Sequence, residues 1–424
     1  MIGLPWFISI RRRRQVRSLS QVFWHHNRQL HALATETTIP RNVYDGRAGF
    51  PQLNYAWGRA DDCAQKRREV MSKVRKTSTA ARKAKAKPGL KRTAALKDKV
   101  KTSRALKSDA AIYLTEDDVC RLVTVKDAIA TLEDLFATWS DPATVNLPRQ
   151  RAPVGGSAFN LMGAAWGAKS LFGLKAYFAG GNGARYHVLL YSARDGKLKA
   201  MIEADHLGRM RTGAASGVAT KVLAKPEART LGVIGVGRQA FTQIAAVCAV
   251  REIADIRVFS PTVMHRDSFA RRIERELRVA AQPAASAETA VAEADIVIAI
   301  TKSAEPVLRA NWLKSGVHVN AAGANAAMRR EVDAETVLRA TVRATDHVAQ
   351  AKEEAAEYRD LVAAGRLKWQ VVVELGDVLT GKAPGRRGPA DITLFKSLGI
   401  ALEDIAFADL ICRRAAERGI GKPV

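Results

Sequence analysis

Arg229-Thr-Leu-Gly-Val-Ile-Gly235-Val-Gly237-Arg238-Gln239-Ala240 is an apolar run that breaks into two close glycines and opens into an Ala-rich helical pattern. Such a run reads as strand, tight turn and helix, arranged to receive a dinucleotide pyrophosphate. Gly235 permits the turn, Gly237 keeps a Cβ out of the path of the phosphates, and Ala240 takes the third small position of the fingerprint. The helix that follows presents free N–H groups and the positive end of its dipole to the anion. The same spacing occurs in ordinary strand–helix turns, so the surrounding sequence decides.

That surrounding sequence alternates. Ala240 to Val250 is apolar at helical spacing, Ile256 to Ser260 reads as a second strand, and Asp267 to Leu277 as a charged amphipathic helix. Arg278 to Ala281 reads as a short strand, Ala287 to Glu293 as a helix and Asp295 to Thr301 as a buried strand. Gly316 to Gly323 and Thr341 to Asp346 are further strands ending in small or polar residues. Repeated strands with intervening helices predict a Rossmann-type, doubly wound parallel sheet with ligands at the carboxyl ends of its strands. Ser260, Thr301, Asn320 to Asn325 and Asp346 then stand at the ligand edge.

The second strand bears on cofactor choice. NAD sites place an acid at its end to accept from the ribose 2′-hydroxyl, whereas Val258-Phe-Ser-Pro-Thr-Val263 has none and is followed by His265-Arg266. Ser260 and Thr262 could donate to a 2′-phosphate, and Arg238 or Arg266 could neutralise it. Both arginines equally fit solvated surface charges. The reading leans to NADP, with NAD as the alternative.

At 424 residues and 47% hydrophobic content, the chain can hold two domains with sizeable cores. No apolar run reaches the roughly 18 residues of a membrane span. Cys63, Cys120, Cys248 and Cys412 stand far apart, and neither they nor the eight histidines show metal-ligand spacing, so a reduced cytoplasmic protein without a metal is expected. The net charge of +26 is concentrated at one end: residues 1–110 carry 26 Lys and Arg against 7 Asp and Glu, leaving only +7 for the other 314 residues. Residues 1–108, with Arg11 to Arg14 and a Lys-rich stretch from Lys73 to Lys107, have the composition of a disordered extension. An organellar transit peptide, non-specific polyanion binding and a later translation start such as Met71 are the competing readings. Nothing outside this segment points to nucleic acid.

From Ile112 the texture is that of a folded domain. Tyr113-Leu-Thr115-Glu-Asp-Asp118 reads as a strand followed by a helix N-cap, and Val125 to Trp139 has helical periodicity. Arg149, Arg151, Lys169, Lys175, Arg209 and Arg211 then lie among glycines and apolar residues, a pattern suited to an anionic substrate such as a carboxylate.

Several stretches in order give the chain a resemblance to a known family. They are Pro148-Arg149, Leu161-Met162, Gly173-Leu-Lys175, Arg209-Met-Arg211-Thr-Gly-Ala-Ala-Ser-Gly-Val-Ala219, the glycine turn, Asn320-Ala-Ala-Gly323, Glu374-Leu-Gly-Asp-Val-Leu-Thr-Gly381 and Ile392-Thr-Leu-Phe395-Lys-Ser-Leu-Gly399. From about Ile112 to the C-terminus the chain resembles the ornithine cyclodeaminase/mu-crystallin family. The resemblance implies a Rossmann domain, residues 226–385, inserted in an α+β substrate and dimerisation domain, residues 109–225 with 386–424 returning to it, and a homodimer. It implies that Arg149, Lys175 and Arg211 hold a substrate carboxylate beside the nicotinamide, with Arg151 able to take the place of Arg149. Thr212 joins Gly235, Gly237, Arg238, Gln239, Ala240, Ser260, Arg266 and Thr301 as an expected cofactor contact.

The family's cyclodeaminases carry a Glu and an Asp where this chain has Asn160 and Asn325. Neither Asn exchanges a proton near neutral pH, which weakens the cyclodeaminase reading. The expectation is therefore an NAD(P)-dependent oxidoreductase acting at the C–N bond of a small amino or imino acid, in the manner of a ketimine reductase or alanine dehydrogenase. Ornithine cyclodeamination and NADP-dependent small-molecule binding of the mu-crystallin kind are the alternatives.

Overall fold

The computed structural model describes residues 110–180 and 183–424. The basic leader lies outside the described residues, and with it Cys63, Met71 and every expectation placed on residues 1–108.

The first domain begins with β1 (Ile112–Leu114) and two short helices, α1 (Glu116–Leu122) and α2 (Val125–Ala137). Each helix starts at a reciprocal cap. Thr115 and Thr124 accept from the backbone three residues on, while Asp118 and Asp127 reach back to the cap residues, which satisfies N–H groups the helix itself cannot. Strands β2 (Val145–Val154), β3 (Ser157–Trp166), β4 (Leu171–Gly180), β5 (Gly183–Ser192) and β6 (Leu198–Glu203) complete a mixed sheet. Its order is β15-β1-β6-β5-β4-β3-β2, with β15 (Lys422–Pro423) supplied by the end of the chain.

Alternation along β3 separates the two faces of this sheet. Asn160, Met162, Ala164 and Trp166 are buried, whereas Phe159 and Leu161 face outward. Phe159 stands opposite Phe178 in the register, and Leu147 and Phe172 are exposed on the neighbouring strands β2 and β4.

Helix α3 (Asp205–Leu223) is buried over almost its whole length and joins the two domains. A helix buried on nearly every side needs neighbours all round. Gly213 and Gly217 bring it close against α4 (Ala240–Val250) at Thr242 and Ala246.

The second domain is an all-parallel sheet with the order β13-β12-β14-β11-β10-β7-β8-β9. Its chain path runs β7 (Thr230–Ile234), α4, β8 (Asp255–Phe259), α5 (Val263–Leu277), β9 (Ala280–Pro283), α6 (Ala287–Val291) and β10 (Ile296–Ala299). It continues through β11 (His318–Ala321), α7 (Ala334–Arg339), β12 (Val342–Thr345), α8 (Val348–Glu354), α9 (Ala356–Ala363), β13 (Val372–Glu374), α10 (Leu375–Leu379) and β14 (Thr393–Lys396). Ile296 and Ile298 enter one core cluster and Val297 the other, as expected of a strand covered on both faces. The α/β, Rossmann-like fold expected from the sequence is the one observed.

The sequence reading differs from the structure in three places. Helix α5 starts at Val263, a turn before the expected Asp267. Arg278 is not in a strand: it turns left-handed at φ 61° to end α5, and β9 follows two residues later than expected. The expected return to the first domain at 386 comes too early, because Thr393–Lys396 forms β14 inside the parallel sheet, between β11 and β12. A four-residue strand carries too little periodicity to be separated from a loop motif. The chain returns only with α11 (Ala401–Arg418), which packs across β3 and β4, and with β15 after it.

Candidate active site

The two glycines of the turn have different structural requirements. Gly235 lies at φ 105°, and a Cβ there would penetrate the Ile300 carbonyl, so the fold itself requires glycine. A Cβ on Gly237 would meet nothing within 4 Å. The protein leaves open space at the start of α4, in the place where a pyrophosphate would approach, and the residues fit a dinucleotide there. Ala240 is buried under the turn, and Gln239 precedes α4 with its Oε1 unpartnered. Thr301, beyond β10, is held by the buried Glu331, which accepts from Thr301 N at 2.5 Å, Gly323 N at 2.6 Å and Ala324 N at 2.9 Å. One carboxylate thus fixes the ends of two adjacent strands at the ligand edge.

The expected substrate cations are buried and paired. Lys175, on β4, donates from Nζ to Asp404 Oδ1 at 2.9 Å, and Arg211, on α3, donates from Nε to the same oxygen at 3.0 Å. Arg211 also reaches Glu403 at 2.9 Å. Arg149, on β2, donates to Glu354 at 3.0 Å, to the Leu398 and Gly399 carbonyls at 3.0 and 2.8 Å, and to Met162 Sδ at 3.3 Å. Arg151 shares Glu354 and reaches the Asn325 carbonyl across the domain boundary.

The turn Ser397–Gly399 holds this cluster together. Asp346 accepts from Leu398 N and Gly399 N, both at 2.7 Å, which aims the carbonyls of those residues at Arg149. Burial works against the Arg211 charge, but Asp404 and Glu403 outweigh it and hold the guanidinium above its ordinary pKa. Burial pulls Lys175 down to about 8, opposed by Asp404 and reinforced by the positive charges of Arg211 and Arg149. Burial pushes Glu403 up to about 8, and Asp346 is raised for the same reason. Tyr186 covers Lys175, with Nζ 5.4 Å from its ring centroid.

Of the candidate cations, Lys169 lies elsewhere, paired with Asp134 on the surface. Arg209 and Arg238 both meet Asp205 at the start of α3. Thr212 turns its hydroxyl to the Gly208 carbonyl, and its own carbonyl accepts from Gln243. Asn320 is taken up by the buried chain Thr220–Asn320–His318–Thr393 rather than by the ligand edge. Asn160 is buried on the same face of the sheet as Lys175, with Nδ2 donating to the Ala158 carbonyl. The sequence reading missed the carboxylates Glu354, Glu403 and Asp404. The signal for the last two was an acid pair inside the apolar run Ala401-Leu-Glu-Asp-Ile-Ala-Phe.

Among the described residues no three His, Cys, Asp or Glu side chains are placed to hold a metal ion, and no helix is long and apolar enough to cross a membrane.

Residues 110–419 match the model of the ornithine cyclodeaminase/mu-crystallin family. The chain is 35% identical over 238 residues to the Delta(1)-pyrroline-2-carboxylate reductase of Bacillus cereus, covering 56% of this chain and 73% of the relative. The solved Delta(1)-pyrroline-2-carboxylate reductase of Thermococcus litoralis, in complex with NADH and L-proline, superposes with a TM-score of 0.71. It is 29% identical and covers 74% of this chain and 100% of its own. An archaeal alanine dehydrogenase dimer with bound NAD gives a TM-score of 0.70 at 26% identity, covering 74% and 98%.

Proposed function

The chain belongs to the ornithine cyclodeaminase/mu-crystallin family and is an NAD(P)-dependent oxidoreductase of small amino or imino acids; within that class we propose that it reduces a cyclic imino acid of the pyrroline-2-carboxylate type. The observation that carries this reading is the convergence of Lys175, Arg211 and Arg149 on one buried cluster whose neighbouring site positions, Asn160 and Asn325, are neutral. The cations bind and orient the carboxylate of the substrate, and burial excludes water and strengthens each contact. A bound nicotinamide would supply the hydride that reduces the C=N bond. Lys175 is placed to give the proton that the nitrogen takes up, because burial keeps its ammonium acidic enough to release one near neutral pH.

Gly235, Gly237, Arg238, Gln239, Ala240, Ser260, Arg266, Thr301 and Thr212 remain the proposed cofactor contacts. The exposed apolar face of the first sheet, with Leu147, Phe159, Leu161, Phe172 and Phe178, supports a homodimer in which a second copy covers that face. Cys248 and Cys412 are free thiols, in keeping with a cytoplasmic setting. A spectrophotometric screen tests the reading: NAD(P)H oxidation with cyclic imines and with 2-oxo acids plus amines is expected. Ammonia release from ornithine without net change in nicotinamide absorbance would instead establish cyclodeamination.

A further inference from the structure

The end of β8 is where this type of sheet meets the adenosine ribose, and its residues suit a phosphate better than a hydroxyl. After Phe259 the chain runs Ser260-Pro-Thr-Val-Met-His-Arg266, with no carboxylate before Asp267. A guanidinium stands at the strand end instead. Arg266 donates from Nη1 to the Ser260 carbonyl at 3.4 Å, and its Cζ lies 5.7 Å from the centroid of the Phe259 ring. Its Nε is buried and has no acceptor. A buried guanidinium donor without a partner is costly, and an anion beside it removes that cost.

The rest of the strand end agrees. Thr262 makes no side-chain cap bond to α5, so its hydroxyl is not committed to the helix. The other arginine near the turn is engaged elsewhere: Arg238 pairs with Asp205, and its Cζ lies 5.9 Å from the Tyr186 ring, on the substrate side of the fold. That leaves Arg266 as the cation at the ribose end.

We propose that Arg266, with the hydroxyls of Ser260 and Thr262, forms a subsite for the 2′-phosphate of the cofactor, so that the chain selects NADP(H) over NAD(H). This rests on the reading of the chain as a nicotinamide-dependent enzyme. It also separates the chain from the two solved relatives above, which hold NADH and NAD.

Equilibrium binding to the full chain tests it without turnover, using NADPH and NADH, and the fragments 2′,5′-ADP and 5′-AMP. The phosphorylated member of each pair is expected to bind at least about tenfold tighter. Arg266→Gln is expected to remove that advantage while changing the affinity for NADH and 5′-AMP by less than about threefold, and Ser260→Asp to favour NADH. Equal binding of both members by the unmodified chain, or an equal loss for both in Arg266→Gln, would overturn the subsite alone. Binding of neither dinucleotide would overturn the nicotinamide reading as well.

Discussion

Gly399 leaves room for Arg211: a Cβ built on Gly399 would stand 2.5 Å from Arg211 Nη1, and the glycine itself sits at φ 70°. Arg211 reaches Glu403 past a turn before α11 that carries no side chain at that point. Gly399→Ala is therefore expected to displace Arg211 and to lower kcat/KM by at least about tenfold, with cofactor affinity little changed. Steady-state kinetics beside a direct cofactor titration read both quantities. An unaltered kcat/KM in the folded variant would show that Arg211 does not carry the substrate.

Lys175 is expected to set an alkaline limb. On the proposed mechanism its ammonium holds the carboxylate and supplies the proton only while charged, and its pKa is pulled to about 8 by burial. Reduction is expected to slow as the pH rises through about 8. Lys175→Met should lose the limb together with roughly 30-fold to 1000-fold of kcat/KM. A limb that persists in Lys175→Met belongs to another group.

Gly237→Val is expected to abolish dinucleotide binding in a protein that still folds, because the space a side chain would fill is empty of protein atoms. Gly235→Val should instead destabilise the fold, since its side chain meets the Ile300 carbonyl. Thermal unfolding combined with NADPH titration separates the two effects. Full cofactor affinity in Gly237→Val would place the pyrophosphate elsewhere.

The neutral pair Asn160 and Asn325 is expected to exclude ornithine chemistry. Asn160→Glu with Asn325→Asp should bring ammonia release from ornithine above the background of the unmodified chain. If the unmodified chain already releases ammonia at ordinary enzyme rates, about 1 per second or faster, the neutral pair excludes nothing.

His318 couples stability to pH. It is buried between Thr393 and Asn320 and pulled from 6.5 to about 3, chiefly by burial, so the folded chain keeps it neutral where the unfolded chain protonates it. Its contribution is fully present above pH 6.5 and is lost as the pH falls towards about 3, with a slope approaching about 1.4 kcal/mol per unit. Urea titrations across this window should show a shallower dependence in His318→Gln. An unchanged slope would assign the effect to other groups.

What could be read from the sequence follows the length of each signal. The β-α-β run from Thr230 to Phe259 and the cap at Thr115 are local patterns, and each fixes its own element. Lys175, Arg211 and Arg149 were visible as cations among apolar neighbours. Their partners were not, because Asp404 and Glu354 lie more than 200 residues from Lys175 and Arg149 and only the folded chain brings each pair together. Thr393–Lys396 failed as a strand for a related reason: its place in the sheet is set by β11 and β12 on either side, not by its own four residues.

That placement matters for anyone moving this domain to another scaffold. A graft of residues 226–385 would carry β11 and β12 with the strand between them missing, exposing two rows of unpaired backbone groups in the middle of a sheet. The transplant would have to extend through Lys396, and so would carry Asp346 away from Leu398 and Gly399, whose N–H groups it holds. The two domains of this protein are consequently poor candidates for independent recombination, since a cut that keeps the parallel sheet intact divides the cluster around Arg149 and Arg211.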